Sequence, residues 1–206
     1  MVLANSVSTQ SSVTLSLPAE LYLQVTPDQF EELARANSEL RLERNATGEL
    51  IVSPPTGWET GDRNFKLIVQ LGKWCEENPE AGRAFESSTG FILPNGANRS
   101  PDVSWISSTR WYALTDAEKG TFLKICPDFV VELRSASDNL APLQAKMQEY
   151  LDNGALLGWL IDPKNRRVEI YRVGQVVEVL ENPMKLLGEE VLPGLVVNLQ
   201  QIWTTL

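Results

Sequence analysis

Two carboxylates are placed where they could work together. Glu132 lies inside Phe129-Val130-Val131-Glu132-Leu133, a run that is otherwise wholly apolar, and Asp102 opens Asp102-Val103-Ser104-Trp105-Ile106 directly after Pro101. A carboxylate buried without a partner is expensive, so Glu132 requires a cation nearby. Two acidic side chains that converge form a hard oxygen site suited to Mg²⁺ or Mn²⁺. A metal held there would polarise a phosphate and lower the pKa of bound water. Arg134 follows Glu132 by two residues and projects from the same strand face. It can supply charge but cannot act as a base, because a guanidinium keeps its proton. Lys146 falls at the edge of the helical stripe Leu140, Leu143, Met147, Tyr150 and Leu151, with Gln144 at the other edge. From there its ammonium could reach in over the strands and stabilise charge on phosphoryl oxygens. If burial lowered its pKa it could also serve as a base.

Each residue has an ordinary explanation as well. Glu132 and Arg134 could be no more than a buried ion pair. Pro-Asp is a common way to enter a strand, and Lys146 could snorkel past its apolar neighbours into water. The order carries more weight than any member: a Pro-Asp strand, a spacer, a buried strand with Glu-x-Arg, then a helix bearing an oddly placed lysine.

Composition narrows the chemistry. Histidine is absent from the 206 residues, which excludes Ser-His-Asp and Cys-His catalysis, a histidine base and histidine-ligated zinc. Cys75 and Cys126 are isolated in apolar contexts, without the spacing of a zinc ribbon or redox motif, and read as reduced, buried thiols. The net charge of −9 argues against coating nucleic acid by charge alone, while leaving room for an acidic site that meets nucleic acid through a metal. No Gly-x-x-x-x-Gly-Lys, Gly-x-Gly-x-x-Gly or Gly-x-Ser-x-Gly motif occurs. Residues 1–16 carry no Lys or Arg and read as a loose arm, not a secretory signal. The longest apolar run, near Ala155 to Ile161, is too short to span a bilayer, and the expected location is cytoplasmic.

The elements that must position these residues can be read along the chain. Thr26-Pro27-Asp28-Gln29 has the form of a capped helix start, and that helix should stop near Asn37. Leu40 to Glu43 alternates and Asn45-Ala46-Thr47-Gly48 turns it back into Glu49 to Ser53, a hairpin ended by Pro54-Pro55. Gly61 to Glu77 has helical spacing. Residues 83–93, 101–107 and 128–135 read as strands, the last as a central strand covered on both faces. A helix from Leu140 to Asn153 stops at Gly154, and a buried strand follows at Gly158 to Asp162. Val168 to Arg172 and Val176 to Leu180 make a hairpin, and residues 183–206 a short strand and terminal turn. A helix between strands implies a crossover and some parallel pairing. The expected fold class is therefore α/β in the mixed α+β sense, a mixed sheet flanked by helices.

The stretch GRAFESSTGFILPNGANRSPDVSWIS, followed by CPDFVVELRSASDNLAPLQAKMQEYLDNGALLGWLIDPKNRRVEIYR, resembles the Uma family of putative restriction endonucleases, within the PD-(D/E)xK nuclease superfamily. The likeness runs from about Thr26 to the VLPGL at Val191 to Leu195, nearly the whole chain. It implies a restriction-endonuclease-like core over 17–206 and a Mg²⁺-dependent endodeoxyribonuclease. Asp102 and Glu132 would bind the metal, with the Leu133 carbonyl as a further ligand. Arg134 departs from the superfamily pattern, where lysine is usual, and Lys146 from the following helix is the expected substitute. Glu43 and Glu86 are further acidic candidates, each more simply an exposed strand residue. Asp138 reads as a helix cap. Lys164, Arg166 and Arg167 could touch a phosphate backbone or form a solvated turn. DNA is the implied partner, and a homodimer would suit cleavage of both strands. Two other readings stay open: a catalytically inactive binding module on the same fold, and a carboxylate-pair glycoside hydrolase using Trp105, Trp111 and Tyr112 as sugar platforms.

Overall fold

The computed structural model describes residues 23–120 and 122–204. The expected arm at 1–16 lies outside them. Thr26 opens α1 (Pro27–Ala36) with both halves of the capping box: its hydroxyl accepts from the Gln29 N–H and the Gln29 side chain accepts from the Thr26 N–H. The hairpin follows as β1 (Arg41–Arg44) and β2 (Leu50–Ser53), turned by Asn45, whose side-chain oxygen accepts from the Thr47 and Glu49 N–H groups. Next comes α2 (Trp58–Glu77), three residues longer at its start than the spacing suggests, because Gly57 is its N-cap and Gly61 lies inside the first turns.

The stretch expected as one strand at 83–93 is two. β3 (Gly82–Glu86) and β4 (Phe91–Ile92) belong to different sheets, parted by the polar turn Ser87-Ser88-Thr89-Gly90. Then follow β5 (Asn98–Arg99), β6 (Val103–Ser107), a short unforeseen α3 (Ser108–Ala113), β7 (Phe129–Leu133), α4 (Leu140–Asp152) and β8 (Leu157–Asp162). The chain continues through β9 (Arg167–Arg172), β10 (Glu178–Glu181), β11 (Lys185–Leu187), β12 (Val196–Asn198) and α5 (Gln200–Trp203).

Six strands form the main sheet in the order β10-β9-β8-β7-β6-β3. Only β7 and β8 run parallel, and α4 is the crossover between them. The β7 residues alternate between two cores. Phe129, Val131 and Leu133 pack with Leu67, Leu71 and Trp74 of α2, whereas Val130 packs with Met147 and Tyr150 of α4. Every residue of β7 is buried, so covering on both faces accounts for its nearly unbroken apolar run. Gly158 lets α4 lie close to the sheet, since a Cβ there would stand 2.5 Å from Met147 Cε. The smaller sheet, β2-β1-β5-β4, brings the first hairpin alongside the segment that leads into Asp102. Among the described residues no helix is long and apolar enough to cross a membrane.

Candidate active site

The register of two strands puts Asp102 opposite Glu132. β6 and β7 are antiparallel with Val103 against Val131, Ser104 against Val130 and Trp105 against Phe129. One step further along the same register, Asp102 faces Glu132. Both sit on the α4 side of the sheet, in step with Val130, where directly opposed side chains lie about 5 Å apart at Cβ. Asp102 is fixed at both oxygens: Oδ2 accepts from the Leu133 N–H at 2.8 Å and Oδ1 from Arg41 at 3.0 Å. Arg41 also donates to the Ser100 carbonyl at 2.7 Å.

α4 delivers the cation. Lys146 Nζ lies 2.7 Å from Glu132 Oε1 and 2.8 Å from Glu43 Oε1, with its side chain only 10% exposed. Tyr150, one turn on, donates its hydroxyl to Glu132 Oε1 at 3.0 Å. Glu43 comes from the first hairpin and also accepts from the Ser100 N–H at 2.7 Å, with Arg99 at 3.5 Å. Arg99 in turn pairs with Glu149 at 2.6 Å. Arg41, Glu43, Arg99, Asp102, Glu132, Lys146 and Glu149 line one cleft of about 1160 Å³ between the hairpin, the start of α2, and α4, with Tyr150 buried behind it.

Burial pushes the Glu132 carboxyl up to about 7; Lys146 opposes that push, while the charges of Asp102 and Glu43 add to it. Glu43 is just as buried yet is held below the usual carboxylate range, because Lys146, Arg99 and the Ser100 N–H together outweigh the burial. The difference lies in the company each keeps: Glu43 has two cations and a backbone donor, while Glu132 has one cation and faces another acid. Burial alone would lower the Lys146 ammonium, but Glu132 and Glu43 raise it above its ordinary value. That balance favours the charged form of Lys146, which suits it to an electrostatic role.

Some expectations fail here, while Glu86, Lys164 and Arg166 have the ordinary exposed placement favoured for them. Arg134 does not reach Glu132. The strand ends at Leu133, the Arg134 N–H bonds the Ile161 carbonyl across the parallel pair, and the side chain turns outward to Asp162 at 2.6 Å and to the Asp138 carbonyl at 3.1 Å. Glu43 is not an exposed strand residue but 6% exposed and part of the cleft. Asp138 does not cap α4, whose N-cap is Asn139; its carboxylate accepts from the Ser135 N–H and closes a turn. Glu86 is exposed and hydrogen-bonded to Ser88. Lys164 and Arg166 are exposed in a turn, and Arg167 pairs with Glu169. Of the proposed sugar platforms, Trp105 is buried against Trp74, Trp111 packs on Phe85, and Tyr112 is exposed away from the cleft lining. Arg41, Arg99 and Glu149 were not foreseen. The only sequence signal was the Arg41-x-Glu43 alternation, which puts two charges on one face of a strand.

The donor set fits a small divalent ion. Asp102 and Glu132 offer carboxylate oxygens from opposed positions, and no hydrogen bond engages Glu132 Oε2 among the described residues. Among those residues no group of three or more His, Cys, Asp or Glu side chains could hold a metal together. A pair of carboxylates is nevertheless the usual protein share for Mg²⁺, which keeps waters and substrate phosphate as its other ligands.

Comparison with known proteins agrees with this architecture. A search of curated proteins gave no match. The fold is similar to that of a crystal structure from Anabaena variabilis described as "a putative nuclease belonging to DUF820", with a TM-score of 0.75 and 21% identity, covering 87% of this chain and 97% of that one. The family model described as "Putative restriction endonuclease" matches residues 27–200, and the chain accordingly belongs to the Uma2 family.

Proposed function

We propose that this chain is a divalent-metal-dependent endonuclease that hydrolyses phosphodiester bonds in DNA. The observation that carries the reading is the cross-strand opposition of Asp102 and Glu132 in one cleft, with the Lys146 ammonium 2.7 Å from Glu132. Asp102, Glu132 and the Leu133 carbonyl would hold Mg²⁺ or Mn²⁺. Such an ion lowers the pKa of bound water and neutralises charge on the scissile phosphate.

The chain's own groups do the rest. Arg41 and the Leu133 N–H lock the Asp102 carboxylate, and Tyr150 orients Glu132. Glu43 and Glu132 take two of the three N–H donors of Lys146, leaving the third for a phosphoryl oxygen. Positive charge there strengthens as the transition state gains negative charge on those oxygens.

The test is cleavage of single- and double-stranded DNA with Mg²⁺ and Mn²⁺, alongside calorimetric metal titration of wild type, Asp102→Ala and Glu132→Ala. Both variants should lose metal binding and at least on the order of a hundredfold in rate. A wild type that cuts neither substrate with either ion, or variants that bind metal as well as wild type, would remove the proposal.

A further inference from the structure

We propose that Trp58 is a stacking platform for an unpaired DNA base, so that the strand presented to Asp102 and Glu132 is single-stranded. This rests on the nuclease reading and deepens it by naming the substrate class.

Trp58 is the first residue of α2 and lines the same cleft as Asp102, Glu132 and Lys146. It is 69% exposed, whereas Trp74, Trp105 and Trp159 are buried in the core and the Trp203 indole donates to the Pro183 carbonyl. Leaving a large apolar ring in water forgoes the stabilisation its burial would give. Its approach is stiffened by Pro54-Pro55, whose rings fix the backbone just before the helix and which also line the cleft.

Charge decides what such a ring would meet. The cleft is lined by seven acidic residues and three basic ones, Arg41, Arg99 and Lys146. Each of the three is already paired: Arg41 with Asp102, Arg99 with Glu43 and Glu149, Lys146 with Glu43 and Glu132. A phosphate backbone therefore finds little of the cationic surface that normally supplies affinity for duplex DNA. What the cleft offers besides its carboxylates and paired cations is an aromatic face. Stacking on an indole is tolerant of base identity and contributes affinity without phosphate contacts. In a duplex the faces of every internal base are covered by its neighbours, so within a strand a base can lie on Trp58 only when it is unpaired and unstacked.

The experiment measures binding, not cleavage, with Ca²⁺ in place of Mg²⁺. A short oligothymidylate and a blunt duplex of the same length are titrated into wild type, Trp58→Ala, Trp58→Phe and Phe65→Ala. Phe65 is 66% exposed on the same helix but is not part of the cleft lining, so it controls for the loss of any exposed ring. The single strand should bind wild type more tightly than the duplex. Trp58→Ala should lose roughly tenfold or more in affinity for it, Trp58→Phe should keep most of it, and Phe65→Ala should match wild type. Equal affinity in wild type and Trp58→Ala, equal loss in Phe65→Ala, or preference for the duplex would overturn the proposal. Metal titration of the same samples keeps the two ideas apart. Intact metal binding and cleavage with no effect at Trp58 removes the platform alone. Trp58-dependent binding in a protein that neither binds metal nor cuts removes the nuclease reading alone.

Discussion

Lys146 stands 2.7 Å from Glu132, and the same ammonium touches Glu43, so one cation ties the six-stranded sheet to the smaller one. That arrangement makes Lys146 a structural group and a candidate catalytic one at once, and the two roles separate with pH.

Replacing Lys146 by Met leaves two buried carboxylates short of a counter-charge. Stability at about pH 8 should fall by roughly 3 kcal/mol or more. Near pH 5 the loss should be smaller, because Glu132, whose carboxyl is already pushed up to about 7, takes up a proton and no longer needs the ammonium. Urea unfolding at both pH values checks this. An equal loss at both would mean that Glu132 is not the group relieved.

Glu132 itself should weaken the fold as pH rises. Its folded-state pKa of about 7 lies above the ordinary 4.5, so its contribution is complete below about 4.5 and is lost as pH climbs through about 7. Glutamine cannot titrate, yet it keeps an oxygen to accept from Tyr150. In metal-free buffer, Glu132→Gln should therefore gain on wild type by at most about 3 kcal/mol between about pH 5 and pH 8. Parallel stability curves for the two proteins would contradict the assignment.

Arg134→Ala should separate the sequence motif from the site. The side chain serves Asp162, which keeps Asn165 as a second partner, so about 1 kcal/mol of stability should be lost. Metal affinity measured by calorimetry should stay at the wild-type value. A large drop in metal binding would show that Arg134 reaches the carboxylates after all.

The sequence exposed one half of this cleft and hid the other. Glu132 and Lys146 were legible because each breaks a local rule, a charge in an apolar strand and a lysine on the edge of a buried stripe, and Asp102 through its place in the order of motifs, at a Pro-Asp strand entry ahead of them. Their meeting depends on β6, β7 and α4, which lie near one another in the chain with only α3 and its loop between the two strands. Arg41 and Arg99 were not legible as site residues, and Glu43 was a candidate read more simply as exposed, because their burial depends on the first hairpin docking beside β5, a pairing between distant segments that no local pattern encodes. Arg134 misled for a related reason. The two-residue period holds only inside a strand, and this one ends at Leu133. The polar turn within 83–93 was visible in composition, but not that it would send β4 into another sheet.

The bond from Lys146 to Glu43 joins residues 103 positions apart, whereas Glu132 and Lys146 belong to one strand–helix unit. Loops that short close early during folding, and pairings across much of the chain close late. The Glu132–Lys146 pair is therefore expected to close first, and the ammonium to gain its second anchor only once the N-terminal hairpin has docked. Any reactivity that needs Lys146 held from both sides is thereby withheld from half-finished molecules.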